Sequence, residues 1–290
     1  MISLRKILIT CINRIGQSVP RRFQRRVADF PGVLKFFEKL STGEEVGITT
    51  PEGCNLIINP LFHSNLISTR DLRDYEPDIR KLIQKFTKPG MVAYDIGANV
   101  GVFTFLFSSI VGEDGLVYSF EPEENNFTCL QKSIEKNNMK NIVLDKRAIS
   151  KTNSTEKFDR RGGAFSGRLI GNGLYHTTGN IKTVETVSID YVVNDEGYRV
   201  PDILKIDIEG NEGMVLEGMK NIMATHSPIV ICELHTHLGE SKDQVINILS
   251  CYGYTISNVR DVLTINSTGE TASNKPFERH VIAINYSKYT

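Results

Sequence analysis

The segment Asp95-Ile96-Gly97-Ala98-Asn99-Val100-Gly101 lies between an apolar run, Val92 to Ile96, and a second apolar stretch, Val102 to Ile110. A short buried strand, a glycine-bearing turn and a buried helix account for that order. Glycines at 97 and 101 permit a tight turn and close approach of a ligand, and the helix start adds amide donors. Glu121 follows the next apolar run, Leu116 to Phe120, at 20 residues beyond Gly101. A doubly wound fold places there the acid that holds a ribose diol. These signals together point to a nucleoside cofactor at the carboxyl ends of parallel strands. A dinucleotide fingerprint spaces its glycines G-x-G-x-x-G so that a pyrophosphate can reach the backbone. Here three residues separate the two glycines, Asn99 stands where a middle glycine would, and Asp95 sets a carboxylate beside the turn. That carboxylate suits a ligand with ammonium and sulfonium charges, and S-adenosylmethionine carries both, along with a ribose diol. The competing readings are a structural turn without ligand and an NAD-dependent oxidoreductase.

Outward from this turn the chain alternates strand and helix patterns. Strands are expected at Leu116 to Phe120, Ile142 to Leu144 with Ala148-Ile149, Ile203 to Ile208, Ile229 to Leu234, Tyr254 to Val259 and Val281 to Ile284. Helices are expected at Val102 to Ile110, from Pro122 to about Asn137, at Glu212 to Met223 and at Lys242 to Cys251, with Pro122 at a first helical position. This rhythm predicts an α/β fold with a doubly wound, mostly parallel sheet spanning 89–290. Residues 31–88 read as an accessory region. Val46 to Thr49 and Leu56 to Ile58 flank Pro51-Glu52-Gly53 as a hairpin, and Ile79, Leu82, Ile83 and Phe86 share one face of a helix from Pro77 to Phe86. Residues 151–183 interrupt the alternation with Arg160, Arg161, Arg168 and His176, as a hairpin insertion or a loop over the site would.

The chain has 290 residues, with 34 Lys plus Arg against 34 Asp plus Glu. That balance argues against a nucleic-acid partner, whose binding proteins present a basic excess. No apolar run approaches the ~18–20 residues that span a bilayer. Five cysteines without a C-x-x-C pair suggest neither a disulfide framework nor structural zinc, so a cytoplasmic location is expected. The N-x-[ST] matches at Asn126, Asn153 and Asn266 are read as chance. Residues 1–30 hold seven basic side chains against Asp29 alone, with Leu4, Ile7, Leu8, Cys11, Ile12 and Ile15 at helical spacing. This arm reads as a peripheral contact with an anionic membrane face or as a solvated segment on its own domain.

Two strands break the apolar rule for buried parallel sheet. In Ile203-Leu204-Lys205-Ile206-Asp207-Ile208-Glu209-Gly210, extended alternation would set Lys205, Asp207 and Glu209 on one side. In Ile231-Cys232-Glu233-Leu234-His235-Thr236-His237 the polar positions also alternate. Charges at strand ends beside a cofactor crevice are site candidates, so Asp207, Glu209, Glu233 and His235 are expected to orient or deprotonate an acceptor. His235 is the candidate base, because an ordinary imidazole titrates near ~6.5. Against this, the acids could cap a helix or pair with Lys205. A divalent metal on Glu233, His235 and His237, or bridging Asp207 to substrate, lacks a supporting ligand cluster.

With these segments on the page, the chain resembles the FkbM family of S-adenosylmethionine-dependent methyltransferases. The likeness rests on D-I-G-A-N-V-G, on F-E-P at Phe120 to Pro122, on L-K-I-D-I-E-G-N-E at Leu204 to Glu212 and on I-C-E-L-H at Ile231 to His235, and it includes Tyr75-Glu76. The resemblance implies a Rossmann-like class I methyltransferase sheet of seven strands with a reversed last strand, and O-methylation of a hydroxyl on a sugar, glycan or secondary metabolite. It implies that Gly97, Ala98, Asn99 and Gly101 shape the methionine pocket, that Asp95 assists, that Glu121 holds the ribose and that adenine lies near Ala148 and Ile149. A non-catalytic protein that kept the fold is the remaining alternative.

Overall fold

The computed structural model describes residues 45–59, 62, 63, 66, 72–160, 167–170, 181–235, 242–264 and 277–288. The basic arm at 1–30, and within the insertion Arg161 and His176, lie outside the described residues. Strands β1 (Val46–Thr49) and β2 (Asn55–Ile58) pair as an antiparallel hairpin. Helix α1 (Pro77–Phe86) follows, then β3 (Val92–Ile96), α2 (Val102–Val111), β4 (Leu116–Phe120), α3 (Glu124–Lys136) and β5 (Ile142–Asp145). Four strands come next: β6 (Ala148–Ile149), β7 (Ser154–Arg160), β8 (Gly167–Leu169) and β9 (Ile181–Val187). The chain continues through α4 (Ile189–Asn194), β10 (Ile203–Ile206), α5 (Glu212–Glu217), α6 (Lys220–Thr225) and β11 (Ile229–Glu233). It closes with α7 (Lys242–Cys251), β12 (Thr255–Asn258), α8 (Val259–Thr264) and β13 (His280–Ile284).

The central sheet has seven strands in the order β12-β13-β11-β10-β3-β4-β5. β3, β4, β5, β10 and β11 run parallel, while β13 is antiparallel to both β11 and β12. Strand alternation explains the two layers of core. Ala93 and Ile203 face Phe105, Leu106 and the accessory residues Leu56, Leu82 and Ile83 in one apolar cluster. Tyr94, Ile96, Leu204 and Ile206 face Val215, Leu216, Met219 and Leu249 in the other. Each Val, Leu, Ile, Phe or Met side chain among them taken fully from water contributes about 1.5–3 kcal/mol. The hairpin is part of this body: the Ile57 amide donates to Ser133 Oγ on α3 at 2.7 Å, and Asn55 to Asn137 Oδ1 at 2.7 Å.

Several boundaries differ from the sequence pattern. Pro122 is not at the first helical position: α3 begins at Glu124, and Glu123 caps it, its carboxylate accepting the amides of Asn125 and Asn126 at 2.8 and 3.0 Å. Ala148-Ile149 leaves the main sheet and pairs with β9 in a second, four-stranded sheet, β6-β9-β7-β8. The insertion is thus built as strands at 154–160, 167–169 and 181–187. The helix expected from Glu212 to Met223 breaks at Gly218-Met219, where a Cβ on Gly218 would sit 2.2 Å from the Ser150 carbonyl oxygen. No helix among the described residues is long and apolar enough to cross a membrane.

Candidate active site

The turn after β3 is held from below by its own neighbours. Amides of Gly97 and Ala98 both donate to the Phe120 carbonyl at 3.0 Å, and that of Gly101 donates to Ala98 at 2.9 Å. The Asn99 amide donates to Glu121 Oε2 at 2.7 Å, and the Val100 amide to Asn99 Oδ1 at 2.7 Å. Asn99 adopts φ 53°, a left-handed conformation that asparagine tolerates because its side chain bonds locally. Every amide from Gly97 to Gly101 is therefore spent inside the protein. A pyrophosphate needs such donors free, so this turn is not built for a dinucleotide.

Above the turn is a cavity of about 310 Å³. One end of it is walled by Gly97, Ala98, Asn99 and Glu121, with Ala148, Ile149 and the insertion residues Phe158 and Leu169. Glu121 is buried and its Oε1 also accepts the Glu123 amide at 2.8 Å. Burial pushes its carboxyl up to about 7, against the pull of those two amides. The Asn126 side chain bonds it as well, and three donors on two carboxylate oxygens leave acceptor capacity for a hydroxyl. Arg160 on β7, 2.6 Å from Glu123, ties the insertion to this wall.

Asp95 does not reach the cavity, contrary to the sequence expectation. Alternation along β3 turns it toward α2, where Thr104 Oγ1 donates to its Oδ2 at 2.6 Å and bonds Ser119 at 3.0 Å. It braces the helix from one layer below. Gly101 is likewise a packing position, since a Cβ there would lie 2.4 Å from Leu130 Cδ1.

The opposite end of the cavity is lined by Glu76, Lys205, Asp207, Glu209, Glu233 and Arg279. β10 ends at Ile206, so Asp207 and Glu209 sit on a loop and not on a strand face. Glu209, Gly210 and Asn211 carry φ of 59°, 105° and 74° in succession. Such a tight left-handed run is costly for non-glycine residues and is found where a site over-determines it. Lys205 Nζ stands 2.9 Å from Asp207 Oδ2 and 4.9 Å from the Phe103 ring centre. Burial opposes its charge, but Asp207, Asp95 and Glu76 outweigh that and raise its pKa.

His235 lies behind this wall, fully buried. Its Nδ1 is 2.6 Å from Glu212 Oε1; its Nε2 is 3.1 Å from Glu233, 3.5 Å from Glu209 and 3.8 Å from Asp207. Burial opposes protonation, yet Glu212 and Glu233 raise the pKa to about 10. An imidazolium has no lone pair for a hydroxyl proton at neutral pH, so the base expected here has to be sought among its carboxylate partners. Glu233 also accepts from Arg279 and lies 3.1 Å from His280. Despite burial, the two histidines hold its carboxyl well below the usual range. Glu209 behaves oppositely: burial first, then Asp207 and Glu233, push it up to about 7 against His235.

Asp207, Glu233 and His235, and separately Glu76, Glu233 and His280, bring atoms able to ligate a metal within 4.8 Å of one another. A divalent ion there would have to displace Arg279 from Glu233 or Lys205 from Asp207. β11 ends at Glu233, and His237 lies outside the described residues. Glu76, Glu212, Arg279 and Phe158 are wall or network residues that no sequence pattern singles out as chemistry, although Tyr75-Glu76 and Glu212 fall within the motifs of the resemblance.

A parallel sheet with one reversed strand beside its edge, an acid after the second parallel strand and a turn with no free amides define a Rossmann-like class I methyltransferase fold. The family assignment agrees: residues 95–256 match the Methyltransferase FkbM domain. The chain belongs to that family of S-adenosylmethionine-dependent methyltransferases. It is 28% identical over 182 residues to the hexuronic acid methyltransferase AglP of Haloferax volcanii, covering 62% of this chain and 70% of that one. It is 26% identical to the 31-O-demethyl-FK506 methyltransferase FkbM of Streptomyces tacrolimicus, covering 61% and 77%. Among solved structures, a methyltransferase FkbM from Methylobacillus flagellatus KT superposes with a TM-score of 0.45 and 15% identity over 70% of this chain. This chain spans half the length of that one.

Proposed function

We propose that the protein transfers a methyl group from S-adenosylmethionine to a hydroxyl oxygen of a small molecule or glycan. The observation that carries this reading is a single cavity with a diol-accepting carboxylate, Glu121, at one end and a carboxylate poised near neutrality, Glu209, at the other. The walls fit the cofactor. Glu121 has acceptor capacity for a ribose diol, Ala148, Ile149 and Phe158 offer apolar surface for a base, and the acidic end suits ammonium and sulfonium charge. When bound, S-adenosylmethionine supplies an electrophilic methyl whose bonding electrons leave with sulfur. Glu209 takes the hydroxyl proton, and Asp207 and Glu233, fixed by Lys205, Arg279 and His235, hold the acidic wall in place. Positioning of reactants in such a site is worth about 7–11 kcal/mol.

Titration calorimetry separates this reading from the oxidoreductase. S-adenosylhomocysteine is expected to bind and NAD not to; tight NAD binding with no response to S-adenosylhomocysteine would reject it. Glu209→Gln should retain S-adenosylhomocysteine binding and slow transfer about a hundredfold. Unchanged turnover would remove Glu209 as the base, and a fold retained without catalysis would show no transfer in the parent protein. Glu121 adds a pH signature. Ribose hydroxyls favour its charged form, so ligand binding expels a proton and affinity rises with pH through about 7. Calorimetry in buffers of different ionisation heat reads that release, which Glu121→Ala should abolish along with about tenfold or more in affinity.

A further inference from the structure

Glu76 is an odd residue to start a helix. It is the residue before Pro77 at the head of α1, with φ 45° and ψ 59°, and its side chain caps no amide of that helix. Asparagine, aspartate or serine would bond the first-turn amides, and glycine would bear the left-handed conformation without strain. The structure gives the glutamate no such structural work. Its carboxylate lines the cavity instead, and Oε2 is buried without a hydrogen-bond partner among the described residues. A buried acceptor left without a donor costs about 1–3 kcal/mol, and more for a charged group.

The neighbouring charges are already committed. Arg279 and His280 are on Glu233, and Lys205 is on Asp207. Glu76 faces the Glu233 and His280 side of the acidic end, and Glu209 approaches from the His235 side. What remains on offer to an acceptor is therefore carboxylate oxygen, which takes O–H donors and repels anions. We propose that Glu76 is an acceptor-binding residue whose Oε2 takes a second hydroxyl of the substrate while Glu209 faces the reacting one, so that the site selects neutral polyols over uronates. This rests on the methyl-transfer reading above and deepens it. Burial, aided by Asp207 and Glu233, raises the Glu76 pKa against the pull of Lys205 and His280, as befits a buried carboxyl with no hydrogen-bond donor on its Oε2 among the described residues.

The test uses the full chain saturated with S-adenosylhomocysteine. Millimolar methyl glucoside or myo-inositol is expected to raise Tm by ~2 °C, and glucuronate to leave it unmoved. Glu76→Gln should keep the parent Tm without probe and lose the polyol shift. Glu76→Gly should melt at or above the parent, because strain is relieved, while binding no polyol. The proposal is overturned by an equal or larger glucuronate shift, by parent protein that responds to no neutral probe, by a Glu76→Gln variant that keeps the shift, or by a Glu76→Gly variant that melts well below the parent. Parent protein that fails to bind S-adenosylhomocysteine overturns the methyl-transfer reading itself, a result that the other arms do not mimic.

Discussion

His235→Ala is expected to lower the unfolding free energy near neutral pH by about 3–5 kcal/mol, the cost of leaving buried carboxylates without their cation. Glu212, fully buried, accepts the Gly210 amide at its Oε1 at 3.0 Å but loses the cation that stood 2.6 Å from the same oxygen. The effect carries a pH signature of fixed sign. The folded value of about 10 stands above the ordinary 6.5, so between these values the folded chain holds a proton that the unfolded chain has shed. His235's contribution is therefore complete below about 6.5 and fades as pH rises toward 10, at about 1.4 kcal/mol per pH unit. Denaturant unfolding across that range should show the slope in the parent protein and lose this component in His235→Ala. Equal stabilities with parallel pH curves would mean that the imidazole is not the cation holding the acidic wall.

The same residue shows what sequence could and could not disclose. Its place after an apolar strand, two positions beyond Glu233, marked it for the site, because charges at parallel strand ends are conspicuous against Val and Ile. Its protonation state was not legible, since that depends on Glu212, which reaches it from the head of another helix. Asp95 fails for a different reason. Spacing along a strand sets the face, but a turn that follows hides which face meets the ligand, and Asp95 is one residue out of step. Most element positions were legible because period-2 and period-3.6 patterns are local. Register changes were not: Ala148-Ile149 crosses to a second sheet through partners 38 residues away, Ala148 to Thr186 and Ile149 to Val187. Glu76 was invisible as chemistry because its distinction is a backbone angle.

Gly97→Ala should abolish S-adenosylhomocysteine binding and destabilise the protein by several kcal/mol, and a matched control separates the two causes. Gly97 and Gly90 share φ +81°. At Gly90 an added Cβ meets nothing within 4 Å, so Gly90→Ala isolates the left-handed penalty of about 1–2 kcal/mol. At Gly97 the Cβ would stand 1.9 Å from the Asp207 carbonyl oxygen and 2.9 Å from its carbon, both backbone atoms that cannot rotate aside. The turn after β3 and the loop after β10 would have to separate, adding about 1–3 kcal/mol of overpacking strain. That separation also pulls the wall holding Glu121 away from the wall holding Asp207 and Glu209, so the cavity loses its shape. Gly101→Ala should fall between, because its obstacle is the mobile end of Leu130. Thermal unfolding ranks the three variants, and calorimetry reads the ligand site. A Gly97→Ala protein as stable as Gly90→Ala, with parent affinity for S-adenosylhomocysteine, would show that the contact between these two loops does not build the site.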